Sequence, residues 1–365
     1  MAKVQMIDYI REQKEVLQQI FDNKDKVAKP FVEMFEEHPI KKIYTIGTGS
    51  SYHAALVGKD MLAGLLDVEV DCLIPTTFER YEKININGVY KPDEILAFAI
   101  SQGGKSSSTI NAIEKAKSAG IENMTLTSDL NSPITEHTSK AMHLMCGEEK
   151  VPPETKGYTA TLITLMLGAI ESAYSLKRIS KERHESLLQG LQKVISNYDD
   201  HVQNSIDWYQ KFRKELMKAD DMMIIGYGVN IATIEEGTLK VHETVRKPAM
   251  GYEMEEFLHG PYMAVNKDSF IFFIGAEGAE KERMKKVNDI LRDKTDHRFI
   301  LINKDDPYGC ENDIRSSFAD IEEFTPLEYV VPFQVIAYYL ATDLGIDTTI
   351  SAYPGFGQQI GSKVA

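Results

Sequence analysis

The 365-residue chain is 43% hydrophobic and 26% charged, an ordinary globular composition with enough length for two domains. Its formal charge of −14 leaves no broad basic face to neutralise a phosphodiester backbone or an anionic lipid surface, so nucleic acid and membrane are disfavoured as partners. Three cysteines, Cys72, Cys146 and Cys310, are too widely spaced for a CxxC pair or a zinc set, and are expected to be buried, reduced thiols.

The chain opens on MAKVQMIDYIREQKEVLQQIF, an amphipathic helix pattern rather than a charged segment followed by an apolar one, and no stretch approaches a membrane span. A cytoplasmic protein is expected. Residues 43–46 form an apolar run that ends at Gly47-Thr48-Gly49-Ser50-Ser51, and 52–66 reads as helix. ILAFAI at 95–100 is a continuous apolar run of the kind buried on both faces of a parallel sheet, followed by a polar helix at 108–118, a third run at 124–127 and an apolar helix at 158–173. The same order then returns: run 222–225, glycine turn 226–228, helix 230–246, run 270–274, helix 281–292, run 299–302, and apolar helix 329–344. Between the halves, 180–219 is polar and helical, without a Pro/Gly/Ser linker. The pattern predicts an α/β protein of two tandem repeats, 1–195 and 196–365, each a doubly wound parallel sheet flanked by helices, with ligands at the carboxyl ends of the strands.

The glycine turns do not fit nucleotide motifs. GxGxxG needs a glycine where Tyr52 and Ile231 stand, and the Walker pattern needs one where Ala99 stands. Two serine-rich turns remain, GTGSS at 47–51 and SQGGKSSST at 101–109. Unpaired N–H groups at a helix start, with serine hydroxyls beside them, can hold one phosphate dianion without arginines. For Ser51 and Ser106 the alternative is plain helix capping.

KVHETVRKPAMGYEMEEFLHGP at 240–261 sets acids around one histidine. A carboxylate beside an apolar pocket can move protons on carbon near neutral pH, and a histidine can move them on oxygen. Glu243 and His259 are therefore candidates for proton transfer alpha to a carbonyl, with Gly260 and Pro261 making a rigid corner. The alternatives are a solvated Glu243 paired with Arg246 or Lys247, and a buried His259 bonded to backbone. Glu256 is a candidate to orient the corner, and Glu253 and Glu255 read as solvated acids. No HExxH or other metal spacing occurs, so neither metal nor cofactor is expected.

These motifs resemble the sugar isomerase (SIS) family: IGTGSSYHAA its first serine turn, SQGGKSSST its SQSGET-type phosphate loop, EGTLKVHE at 236–243 its EGALKLKE helix, and EEFLHGP at 255–261 its GELKHGP motif. From about residue 40 to 345 the chain looks like the isomerase half of glucosamine-6-phosphate synthase and the related fructosamine-6-phosphate deglycases. The resemblance implies sugar-phosphate contacts at Ser51, Ser101, Gln102 and Ser106, with Gly49 and Ser50 in the same first turn. It makes Glu243 the base between C1 and C2, and His259 the ring-opening and proton-shuttling histidine, supplied by the neighbouring subunit of a homodimer or higher oligomer. Thr155 and Lys156 follow a loop like the family's VASTK segment, where further contacts lie. Gly103 replaces a serine of the phosphate loop. Only 46 residues precede Gly47, with no cysteine before Cys72, so no glutaminase half is expected. Counting from Pro354 puts Gln359 where the synthases carry a lysine, with Lys363 four residues beyond. The expectation is a deglycase that releases an amine from a fructosamine 6-phosphate such as fructoselysine 6-phosphate. Two alternatives stand beside it: a glucosamine-6-phosphate deaminase or amino-sugar isomerase, and a non-catalytic sugar-phosphate sensor.

Overall fold

A computed structural model describes residues 3–364. The first sheet contains β1 (Lys42–Ile46), β2 (Glu69–Leu73), β3 (Ile95–Ile100), β4 (Glu122–Thr127) and β5 (Lys140–His143). The second contains β6 (Met222–Gly226), β7 (Ala249–Glu253), β8 (Ile271–Ile274), β9 (Arg298–Asn303) and β10 (Ile314–Ser316). The sheet orders are β2-β1-β3-β4-β5 and β10-β9-β8-β6-β7, so the second, read from β7, repeats the first. Every pairing is parallel. This is the α/β architecture expected from the repeated run-and-helix pattern.

β1 lies between β2 and β3, with Ile46 opposite both Leu73 and Ala99. The strand order therefore reverses between β1 and β3, which puts a crevice beyond their carboxyl ends. All six residues of β3 are buried, as the unbroken apolar run requires of a central strand covered on both faces. The helix Lys156–Ser175, apolar almost all round, is correspondingly buried along most of its length. In the second sheet, Trp208 stacks edge-on against Phe299 at 5.0 Å and against Phe272 at 6.0 Å, locking the helix Tyr198–Leu216 onto β8 and β9.

The chain forms two compact units that a single cut does not separate. One contains Glu15–Glu149, Lys156–Gln189 and the tail from Ala352 onward; the other contains residues up to Lys14, Lys150–Thr155 and Gly190–Ser351. The chain passes between them at five points, of which Gln189/Gly190 is the nearest to the single boundary expected at 195/196. Cys146 is buried and Cys72 partly so, but Cys310 is exposed, which corrects the expectation of three buried thiols: it sits on the turn after β9, outside the packed layers. Among the described residues, no helix is long and apolar enough to cross a membrane.

Candidate functional site

The first serine turn leaves β1 at Gly47. Gly49, at φ 54° and ψ −133°, precedes the helix Ser50–Leu66, whose first residue Ser50 is buried. No side chain caps this helix, so Ser51 is not the N-cap that the alternative reading offered. The second turn leaves β3 at the buried Ser101. The Gln102 carbonyl accepts from Thr127 Oγ1 at 3.0 Å and from the Ser128 N–H and Oγ, each at 2.9 Å, so the loop backbone is fixed to the end of β4. Gly104 has φ 59°, and a Cβ there would lie 2.0 Å from Ser132 Oγ; only glycine fits. Ser106 does cap the helix Ser107–Ser118, accepting from Thr109 N at 3.4 Å and Thr109 Oγ1 at 2.9 Å. Capping and phosphate contact are compatible, because a hydroxyl has two lone pairs and one proton.

The C-terminal tail docks on this second turn. Val364 N donates to Lys105 O at 2.9 Å, Ser107 N to Ser362 O at 3.2 Å, and Ser107 Oγ to Gly361 O at 2.8 Å, making an antiparallel bridge between Ser106 and Lys363. Lys363 is thus brought to the serine loop by backbone pairing, while Gln359 ends a short exposed helix, Phe356–Gln359. Lys156 begins the helix Lys156–Ser175 as a buried lysine, and the next residue, Gly157, packs directly under the Gln102 amide. Glu149 Oε2 accepts from the Gly157 N–H at 3.1 Å, placing a carboxylate at the positive end of that helix.

The other unit carries the acids. The helix Ile231–Lys240 runs on into a π-helical turn, Val241–Val245, that Arg246 terminates at φ 59°. Glu236, Lys240 and Glu243 fall at i, i+4 and i+7, one stripe of a helix. Lys240 is completely buried; its Nζ donates to Glu243 Oε2 at 2.6 Å and to the Glu154 carbonyl at 2.8 Å, and lies 3.2 Å from Glu236 Oε1. Burial by itself would lower the lysine pKa, but the Glu236, Glu243 and Glu154 charges outweigh it and hold Lys240 well above its ordinary value, firmly protonated. Glu243 keeps 34% of its side-chain surface exposed. Its neighbour is therefore a buried ammonium rather than the apolar pocket expected, and neither expected alternative partner takes that place. Arg246 donates to Ile350 O, and Lys247 to Ala219 O. Lys240 is the site residue that sequence reasoning passed over; its only signal was the Glu-Lys-Glu spacing.

His259 sits on an exposed corner, with 69% of its side chain accessible, which corrects the buried alternative. Gly260, at φ 142° and ψ −51°, holds a conformation that only glycine adopts readily, and Pro261 follows as the first residue of a short 3-10 helix. His259 Nε2 lies 3.1 Å from Glu255 Oε1, and Arg283 ion-pairs with the same carboxylate. Arg283 first, and His259 second, hold the Glu255 carboxyl below the usual range. The carboxylate beside His259 is therefore Glu255, on the same short turn as Glu256. Glu253 has a local task as well: its part-exposed carboxylate caps the turn Met254–Phe257 through the N–H groups of Glu255 and Glu256 at 2.6 and 3.1 Å. Thr155 is buried, and its carbonyl accepts from Gln334 Nε2 at 3.4 Å.

Two parallel sheets of one strand order, serine turns at the crevice of the first and a Glu-Lys-Glu stripe beside the second define a tandem sugar-isomerase architecture. The SIS domain pattern matches residues 90–170 and 215–341, more than half of the chain, and the chain belongs to the SIS domain family. It is 27% identical over 355 residues to a glutamine–fructose-6-phosphate aminotransferase (isomerizing) of Caldanaerobacter subterraneus subsp. tengcongensis, covering 94% of this chain and 56% of that protein. It is 29% identical to the enzyme of the same name from Pyrococcus horikoshii, covering 92% and 54%. The chain therefore spans about half the length of these curated relatives. Among solved structures, a protein of Clostridium difficile 630 provisionally described as a phosphosugar isomerase superposes with a TM-score of 0.88 at 28% identity, over 99% of each chain.

Proposed function

We propose that the chain moves a proton between C1 and C2 of a sugar 6-phosphate bearing an amine, and within that class hydrolyses a fructosamine 6-phosphate, such as fructoselysine 6-phosphate, to hexose 6-phosphate and free amine. The observation that carries this reading is Glu243: a part-exposed carboxylate fixed at 2.6 Å on a fully buried ammonium, in a π turn of a kind frequent at functional sites. The serine turns at the ends of β1 and β3 supply the phosphate cradle, with Ser50, Ser51, Ser101, Gln102 and Ser106 as contacts.

Glu243 takes a proton from C1 of the ketoamine while His259 protonates the C2 oxygen, giving an enaminol. Glu243 returns its proton to C2, and the N–H proton leaves as the C1=N bond forms, restoring His259. Water then adds to the imine, the C1–N bond breaks, and the amine departs with an aldehyde left at C1. Every step is redox-neutral and balances with water alone. Lys240 counters the negative charge that develops near Glu243 and O2. Position 359 is a glutamine, which cannot form an imine with the substrate carbonyl; the released nitrogen is the one the fructosamine already carries. The exposure of His259 fits a homodimer in which that side chain completes the partner's site.

The test is a panel of 6-phosphorylated fructosamines, with glucosamine 6-phosphate and fructose 6-phosphate beside them, following hexose 6-phosphate, amine and ammonia together. Release of amine with hexose 6-phosphate in equal amounts is expected; ammonia from glucosamine 6-phosphate alone would assign a deaminase, and binding without turnover a sensor. Glu243→Gln should lower kcat at least about 100-fold, the scale of a general base. Wild-type turnover in that variant would refute the mechanism.

A further inference from the structure

We propose that Lys363, carried to the second serine turn by the tail, is a substrate-binding residue whose ammonium neutralises the sugar phosphate on the Ser106 side of the cradle. This rests on the reading of the serine turns as that cradle. The pairing of tail and turn has a definite register. Val364 N donates to Lys105 O at 2.9 Å and Ser107 N to Ser362 O at 3.2 Å, so the two bonds flank Ser106 and Lys363 and leave them as a non-hydrogen-bonded antiparallel pair. In such a pair the Cα atoms stand about 4.5 Å apart, and both side chains leave on one face of the ribbon. The flexible stem of Lys363 thus starts beside the Ser106 side chain, and its ammonium can reach an anion that the Ser106 hydroxyl contacts. The bond from Ser107 Oγ to Gly361 O at 2.8 Å holds the tail in the same register.

The charge is needed there. A phosphate dianion entering a protein of formal charge −14 works against the overall field. Residues 101–109 offer it hydroxyls, N–H groups and one cation, Lys105. Ser106 is extended, at φ −68° and ψ 114°, so the side chain of the preceding Lys105 leaves on the opposite face. Lys363 is the cation on the hydroxyl face. It is exposed and, among the described residues, has no ion-pair partner, so its charge can meet a ligand. The role is electrostatic and involves no bond to the sugar carbonyl.

Calorimetry with fructose 6-phosphate reads the effect without turnover. Lys363→Gln should weaken binding about 3- to 10-fold, a scale between an exposed ion pair and a charged hydrogen bond, and Lys363→Arg should restore most of it. The gap between wild type and Lys363→Gln should narrow as salt is raised from about 0.05 to 0.5 M, because ions screen an exposed charge. Val364→Pro removes the donor to Lys105 O and should cost as much as Lys363→Gln, with the double variant no worse than either. Wild-type affinity in Lys363→Gln or in Val364→Pro overturns the assignment, and so does a loss that salt does not narrow. Borohydride reduction with fructose 6-phosphate present should leave the mass of the chain unchanged; a hexose 6-phosphate adduct on Lys363 would show an imine and overturn the electrostatic role. Ser106→Ala, measured in parallel, separates the two claims. If it weakens binding while Lys363→Gln does not, the Lys363 assignment fails alone; if neither does, the phosphate lies elsewhere and the cradle reading fails with it.

Discussion

Gly157 offers a way to move one phosphate-loop side chain without touching the loop. A Cβ built on Gly157 would stand 2.2 Å from Gln102 Oε1 and 2.6 Å from both Cδ and Nε2, whereas ordinary van der Waals contact begins near 3.4 Å. In Gly157→Ala the Gln102 amide must therefore shift by more than about 1 Å. The Gln102 backbone cannot follow, because its carbonyl is held by Thr127 and Ser128. The clash falls on the far end of a flexible side chain, and alanine is favoured over glycine in helices by about 1 kcal/mol, so stability should change little. The effect falls on ligand binding. A hydrogen bond to a charged group contributes about 1.5–3 kcal/mol, which converts to a roughly 10- to 100-fold rise in KM for the phosphosugar. Steady-state kinetics and a thermal melt on the same preparation make the measurement. A folded Gly157→Ala variant with wild-type KM would remove Gln102 from the phosphate site.

Two further outcomes follow from the same geometry. Lys240→Met leaves Glu236 buried without its ammonium and should cost about 3–5 kcal/mol in urea unfolding. The folded pKa of Lys240 is raised, so its contribution is fully present below the ordinary value of 10.5 and is lost only as pH rises through the higher folded one; the gap between wild type and variant attributable to Lys240 titration should not shrink on raising the pH to about 9. A Cβ added at Gly103 would meet no atom within 4 Å, and the residue has no positive φ, so Gly103→Ser should fold normally. By restoring a hydroxyl to the phosphate loop it should tighten phosphosugar binding about 3- to 10-fold, measured by calorimetry with fructose 6-phosphate; weaker binding would place the phosphate elsewhere.

The strands readable in the sequence are those whose both faces are covered. ILAFAI became β3 without adjustment, and the runs at 43–46, 124–127, 222–225, 270–274 and 299–302 became β1, β4, β6, β8 and β9 within one or two residues. The four strands without a clear signal, β2, β5, β7 and β10, are the four sheet edges. Segments such as EVDCL and AMGYE are short and only partly buried, so their residues need not be apolar and they read as loop. The segment between Glu243 and His259 thus hid a strand, and with it the reason Glu253 is a cap.

What the sequence by itself determined was the repeat, the parallel sheets and the short segments where chemistry gathers, because these are written in local periodicity and in turn residues. Which charges meet was decided only by tertiary structure. A lysine on a polar helix reads as solvated; Lys240 is buried because the loop Lys150–Thr155 closes over it and Glu236 offsets its charge. Glu255 lies beside His259 and is also reached by Arg283, from the helix after β8, a partner distant in the chain. The energy of an ion pair depends on the dielectric around it and on partners distant in the chain, and neither is encoded in spacing.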